Sequence, residues 1–127
     1  MKKKLLIYGA GAIGRGYIPW IFNPKDFELS YVEENKKITL LLKQNKTFTT
    51  YRTKNNRYEK QIVSIKNCFN PGEEISQITN YDAIITAVGP RQVLGLKNTL
   101  KKATCPIILF ENDQTTTEIL IHHTNKK

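Results

Sequence analysis

The sequence predicts an α/β fold: a doubly wound, mostly parallel sheet with an inserted β-hairpin, in one domain of 127 residues. Three observations predict it. Short strand-like runs, Leu5 to Tyr8, Glu28 to Glu33, Ala83 to Val88 and Ile107 to Phe110, alternate with segments of helical spacing, as in sheets covered on both faces. The first run passes directly into Gly9-Ala10-Gly11-Ala12-Ile13-Gly14, a tight turn opening a helix. Between Thr47 and Ile65 alternating aromatic and β-branched residues surround a polar Lys54-Asn55-Asn56 corner, the pattern of a hairpin.

In chain order, the first strand leads to a helix from Ala12 to Phe22 that ends at Asn23-Pro24, with a kink or early end expected at Pro19. The second strand is Glu28 to Glu33. A helix from Asn35 to Gln44 places Ile38, Leu41 and Leu42 inward. After the hairpin come a turn at Asn70-Pro71-Gly72, a short helix from Glu73 to Thr79, and a buried strand from Ala83 to Val88. A helix from Arg91 to Lys102 presents Val93, Leu96 and Leu100 on one face, and the strand Ile107 to Phe110 follows. Thr115 to Glu118 offers a capping box for a last helix.

The glycine turn carries the chemistry. Gly9 permits the strand-to-helix reversal, Gly11 lets a pyrophosphate approach the backbone, and Gly14 lets the helix pack on the strand. The amides of Ala12, Ile13 and Gly14 then face the phosphates. Glu33, closing the second strand, can accept hydrogen bonds from both hydroxyls of an adenosine ribose, whereas a 2′-phosphate would meet its charge. The order of strand, turn, helix, strand and acid therefore predicts a Rossmann-type dinucleotide-binding domain that prefers NAD to NADP, a preference that Lys36 and Lys37 would soften. A purely structural glycine turn is the competing reading.

Composition narrows the partners. Twenty basic against eleven acidic residues give a net charge of +9. The lysines are spread over the termini and polar helix faces with no aromatic-interleaved stripe, so nucleic acid is not expected. No apolar run approaches the ~20 residues of a membrane helix. Cys68 and Cys105 form no CxxC, and two isolated cysteines point to a reducing compartment, the cytoplasm.

The stretch from Tyr8 to Ile18, Tyr-Gly-Ala-Gly-Ala-Ile-Gly-Arg-Gly-Tyr-Ile, is followed by Ile85-Thr86-Ala87-Val88-Gly89-Pro90 and Phe110-Glu111-Asn112. Together they resemble the N-terminal cofactor domain of the mannitol-1-phosphate 5-dehydrogenase and long-chain polyol dehydrogenase family. The resemblance covers most of this chain but only the first part of such an enzyme. It implies hydride transfer between NAD and a polyol or polyol phosphate in a full-length enzyme that adds a larger helical domain. It also implies that Ala87, Val88, Gly89 and Pro90 lie against the cofactor beyond the pyrophosphate, and that Asn112 reaches the nicotinamide end and helps hold the reacting oxygen. A strand end before a helix-starting proline, and an ordinary turn at Asn112, remain the plainer alternatives. Arg15 suits either a phosphate or a neighbouring domain.

No catalytic set or metal site is expected within the chain. The family's proton-transferring lysine belongs to a Lys-x4-Asn-x2-His motif in the helical domain. The only histidines here, His122 and His123, have Ile119 and Leu120 three positions before them, and adjacent histidines diverge on a helix. Glu73 and Glu74 read as helix-start charges. The expectation is a NAD-binding domain, inactive alone, that meets a catalytic domain or associates with itself through an open sheet edge or the hairpin. A stand-alone NAD-sensing regulatory module, a methyltransferase and a degenerate association domain are the other classes this pattern admits.

Overall fold

Alternation of buried residues along the first strand sets the two layers of the molecule. In the computed structural model, which describes residues 2–110, β1 (Lys3–Tyr8) turns Leu5 and Ile7 to one core and Leu6 and Tyr8 to another. It is followed by α1 (Ala12–Gly16), α2 (Ile18–Ile21), β2 (Phe27–Val32), α3 (Lys36–Asn45), the hairpin strands β3 (Thr47–Lys54) and β4 (Arg57–Ser64), and β5 (Asn67–Phe69). A 3₁₀ turn (Ile75–Asn80), β6 (Ala83–Thr86), α4 (Pro90–Gly95), α5 (Lys97–Leu100) and β7 (Ile107–Leu109) complete the described chain. The expected last helix, Asn112 and both histidines lie outside the described residues.

The main sheet is parallel, in the order β5-β2-β1-β6-β7. The chain builds outward from β1 through β2 to β5, then crosses to β6 and β7 on the other side. The strand order therefore reverses between β1 and β6, and an open α/β sheet binds ligands in the crevice at that point. One core packs α3, Ile18 and hairpin residue Val63 on Leu5, Ile7, Leu29, Tyr31 and Ile85. The other packs Ile78, Tyr81, Leu100 and Ala103 on Leu6, Tyr8, Val32 and Ile84. The hairpin forms its own two-stranded antiparallel sheet.

The break expected at Pro19 is present: the first helix is two short ones parted at Tyr17, because Pro19 has no N–H for an intrahelical bond and is tolerated only in the first turn of a new helix. Several other sequence expectations need correction. Leu41 is 57 % exposed rather than inward. The buried positions of α3 are Thr39 and Leu42, and the Thr39 hydroxyl donates to the Glu33 carbonyl at 2.7 Å, which turns Leu41 outward. The segment after Gly72 forms the 3₁₀ turn rather than a helix from Glu73. The third long strand ends at Thr86, leaving Ala87 and Val88 in a loop. The helix expected from Arg91 to Lys102 begins at Pro90 and breaks after Gly95, a poor helix former. β2 stops at Val32, although the Glu33 amide still donates to the Phe69 carbonyl at 3.0 Å.

Candidate functional site

The carboxyl ends of the parallel strands deliver the site residues to one edge. Ladder-like bonds run one step past the strands there: Gly9 N–H donates to Val32 O and Ala87 N–H to Tyr8 O, both at 2.8 Å. The loops after β1, β2 and β6 are thus held side by side.

Each glycine of the turn meets different surroundings. Gly9 has φ +103°, and a Cβ there would stand 2.5 Å from the Ala87 carbonyl oxygen. A Cβ at Gly14 would collide with the Gly9 carbonyl. Gly14 is also where Tyr31 of β2 donates its buried hydroxyl, to the Gly14 carbonyl at 2.7 Å. Around Gly11 a Cβ would meet nothing within 4 Å. This is the open cradle that a pyrophosphate needs, and the amides of Ala12, Ile13 and Gly14, in the first turn of α1, have no intrahelical acceptor.

Glu33 is braced by backbone on both oxygens. One accepts from Ala10 N–H and the other from Asn35 N–H, each at 2.7 Å. The acid therefore ties the glycine turn to the start of α3, with two of its roughly four acceptor positions in use. Arg15 points back to the turn, its Nε donating to the Ala10 carbonyl at 2.5 Å. It serves the turn itself, whichever outside contact it also makes.

A cavity of about 380 Å³ opens beside this turn, at the low end of the range for small-molecule sites. Of the expected residues it brings together Gly9, Gly11, Glu33, Ala87 and Val88. Gly89, at φ +99°, shapes the loop into α4, which Pro90 begins.

The sequence reading missed Tyr8, Glu34, Gly72, Glu74, Leu96 and Thr99, which also line the cavity. Glu74 in particular looked like a surface charge. It is 2 % exposed, accepting from Tyr8 Oη at 2.9 Å and Gly72 N–H at 2.7 Å. Burial first, and the Glu74 charge second, push the Tyr8 phenol far above its ordinary pKa, so it stays a donor. A tyrosine closing the first strand and an acid after Asn-Pro-Gly were the only available signals, and neither shows burial. Among the described residues no group of histidine, cysteine and carboxylates could hold a metal ion.

Comparison with known proteins agrees with this fold. The family profile described as the mannitol dehydrogenase Rossmann domain matches residues 3–120. A mannitol-1-phosphate 5-dehydrogenase of Geobacillus stearothermophilus is 31 % identical over 133 aligned positions, covering 94 % of this chain and 35 % of that protein. One of Lactococcus lactis subsp. cremoris is 36 % identical, covering 69 % of this chain and 24 % of its own length. The chain thus spans about a quarter to a third of these relatives. In fold, the whole chain superposes on 43 % of a Cryptosporidium parvum malate dehydrogenase with a TM-score of 0.62 at 15 % identity.

Proposed function

The chain belongs to the mannitol dehydrogenase Rossmann-domain family, and on that premise we propose that it binds NAD as the cofactor half of a polyol phosphate dehydrogenase. NAD, when bound, supplies the hydride acceptor. The protein's own residues hold and orient it: the Gly11 cradle and the first amides of α1 take the pyrophosphate, and Glu33 takes the adenosine ribose. Ala87, Val88, Gly89 and Pro90 flank the cofactor beyond the phosphates, and Asn112 is assigned to the nicotinamide end.

One observation carries the choice of NAD. In a chain of net charge +9, the described residues that line the cavity include Glu33, Glu34 and Glu74 and no lysine or arginine. A 2′-phosphate would enter an acidic pocket without a counter-charge, whereas the neutral diol of NAD donates to it. Lys36 and Lys37, which were expected to soften the preference, are not among the lining residues.

Titration calorimetry of the purified chain tests this. NAD should bind more tightly than NADP. Equal affinities would remove the acidic selection, and no binding of either at millimolar concentration would overturn the dinucleotide reading.

On the same reading the proton-transferring base lies in a further, helical domain that this domain meets. We place the protein in the cytoplasm, where its two cysteines, Cys68 and Cys105, stay reduced. No helix among the described residues is long and apolar enough to cross a membrane.

A further inference from the structure

The glycine turn has a second side. A cavity of about 400 Å³ opens between α1 and the hairpin, lined by Gly11, Ala12, Arg15 and Gly16 and by residues 48–51 of β3. Gly11 borders this cavity and the acidic one alike, so the two meet at the turn. Their charges differ. Among the described residues three carboxylates line the first cavity, whereas the second has none and is lined by the Arg15 guanidinium.

Arg15 is only partly committed. Its Nε donates to the Ala10 carbonyl at 2.5 Å, and no carboxylate among the described residues pairs with it. That one bond leaves four of the five guanidinium N–H donors. A half-buried guanidinium anchored at one nitrogen is prepared for an anion, and a phosphate matches its fork.

The facing wall is a strand edge. Ile65 N–H donates to the Lys46 carbonyl at 2.9 Å, and the register that sets Thr47 opposite Ser64 makes Lys46 and Ile65 a hydrogen-bonded pair. Such pairs alternate along an antiparallel ladder, so Phe48 and Thr50 bond to β4 while Thr49 and Tyr51 turn their N–H and C=O groups away from it. Four consecutive residues line the cavity, as the edge of a strand does and its face does not. An edge offers donors and acceptors in turn, which suits hydroxyl groups, since each can give and take a hydrogen bond.

We propose that this cavity binds a phosphomonoester of a hydroxyl-rich compound, its phosphate on Arg15 and its hydroxyls along the β3 edge. The class includes the polyol phosphate of the proposed function, and the choice of probe rests on that reading. The site itself does not need NAD. A cofactor phosphate is the other source of the same chemistry, and the test separates the two.

Amide NMR of the isotope-labelled chain, titrated with mannitol 1-phosphate, inorganic phosphate or mannitol in the absence of NAD, makes that test. Mannitol 1-phosphate should bind at millimolar concentration and shift the Ala12, Thr49 and Tyr51 signals. Inorganic phosphate should bind several-fold more weakly, and mannitol not at all. Arg15→Gln should weaken mannitol 1-phosphate about tenfold or more while NAD affinity stays within about twofold. No binding of mannitol 1-phosphate, or an unchanged affinity in Arg15→Gln, overturns the proposal. A matching loss of NAD in that variant moves Arg15 to the pyrophosphate and overturns it too, and inorganic phosphate binding as tightly as the ester removes the β3 edge from it. Should Arg15→Gln fail to fold, Gly16→Leu decides: a Cβ there meets nothing within 4 Å, so the side chain takes up cavity space without collision and mannitol 1-phosphate must bind more weakly. Unchanged binding in Gly16→Leu overturns the assignment. A parent that binds the ester but not NAD overturns the cofactor reading alone.

Discussion

Gly9, Gly11 and Gly14 are the same residue used for three reasons, and substitution separates them. Gly9→Ala combines a positive φ with a Cβ against the Ala87 carbonyl, and Gly14→Ala drives a methyl into the Gly9 carbonyl. Each should cost about 2 kcal/mol or more in urea unfolding. Gly11→Val faces open space, so its unfolding midpoint should match the parent while NAD binding disappears. A Gly11→Val chain that unfolds would return the turn to a structural role. Buried acids set the alkaline limit. Burial first, then the Glu33 charge, pushes the Cys68 thiol up to about 11 from an ordinary 9.0, and burial moves the Tyr8 and Tyr31 phenols upward from 10.0. The folded state holds these protons more tightly, so their contribution is complete below about pH 9 and is lost as pH rises past 9.0 and then 10.0. Unfolding free energy should therefore fall between pH 8.5 and 11, and Cys68→Ala should flatten the first part of that fall. An alkaline profile that Cys68→Ala leaves unchanged would place the sensitivity elsewhere.

Among the elements, the hairpin shows how local chemistry and docking divide the work. Asn55 and Asn56 both take positive φ, 53° and 62°, the two-residue reversal that suits the twist of the strands. Asn56→Gly should leave stability unchanged or slightly raised, and Asn56→Val should lower it by about 1–2 kcal/mol; equal melting of the two variants would mean the turn is not formed as described. The hairpin is then held to the body by other means. Arg52, which pairs with Glu59 across the hairpin at 3.2 Å, stacks 4.2 Å from the Trp20 ring centre, and Gln61 donates to the Pro19 carbonyl. The strands and their order of appearance were legible because apolar runs and turn residues are local signals. Helix continuity was legible only in part: the interruption before Pro19 was expected from that proline, the break after Gly95 was not, and β5, three residues long, carries no periodicity of its own. Leu41 was misjudged because Thr39, a polar residue, takes an inward place by bonding to the Glu33 carbonyl.

For the molecule as a whole, net charge and local charge have opposite signs. The +9 chain surrounds an acidic cavity, and that contrast is what orients the cofactor reading toward NAD. Saturation with NAD at about a hundredfold over Kd should add roughly 2.7 kcal/mol, a rise in Tm of several degrees or more, with a smaller rise for NADP. The 127-residue chain should form no NADH from mannitol 1-phosphate, because positioned acid/base help contributes about 10²–10⁴-fold and the proton-transferring lysine is proposed to lie in the further, helical domain. Robust turnover would show that the chemistry is inside this domain. By itself the sequence determined the layered parallel fold, the glycine turn and Glu33 at its flank, since these depend on residue spacing along a few neighbouring positions. Only the tertiary structure decided that Glu33 is bound to Ala10, that Glu74 is buried on Tyr8, and that the two share one cavity. Those facts join strands far apart in the chain, and burial of a charge is settled by what packs around it rather than by its neighbours in sequence.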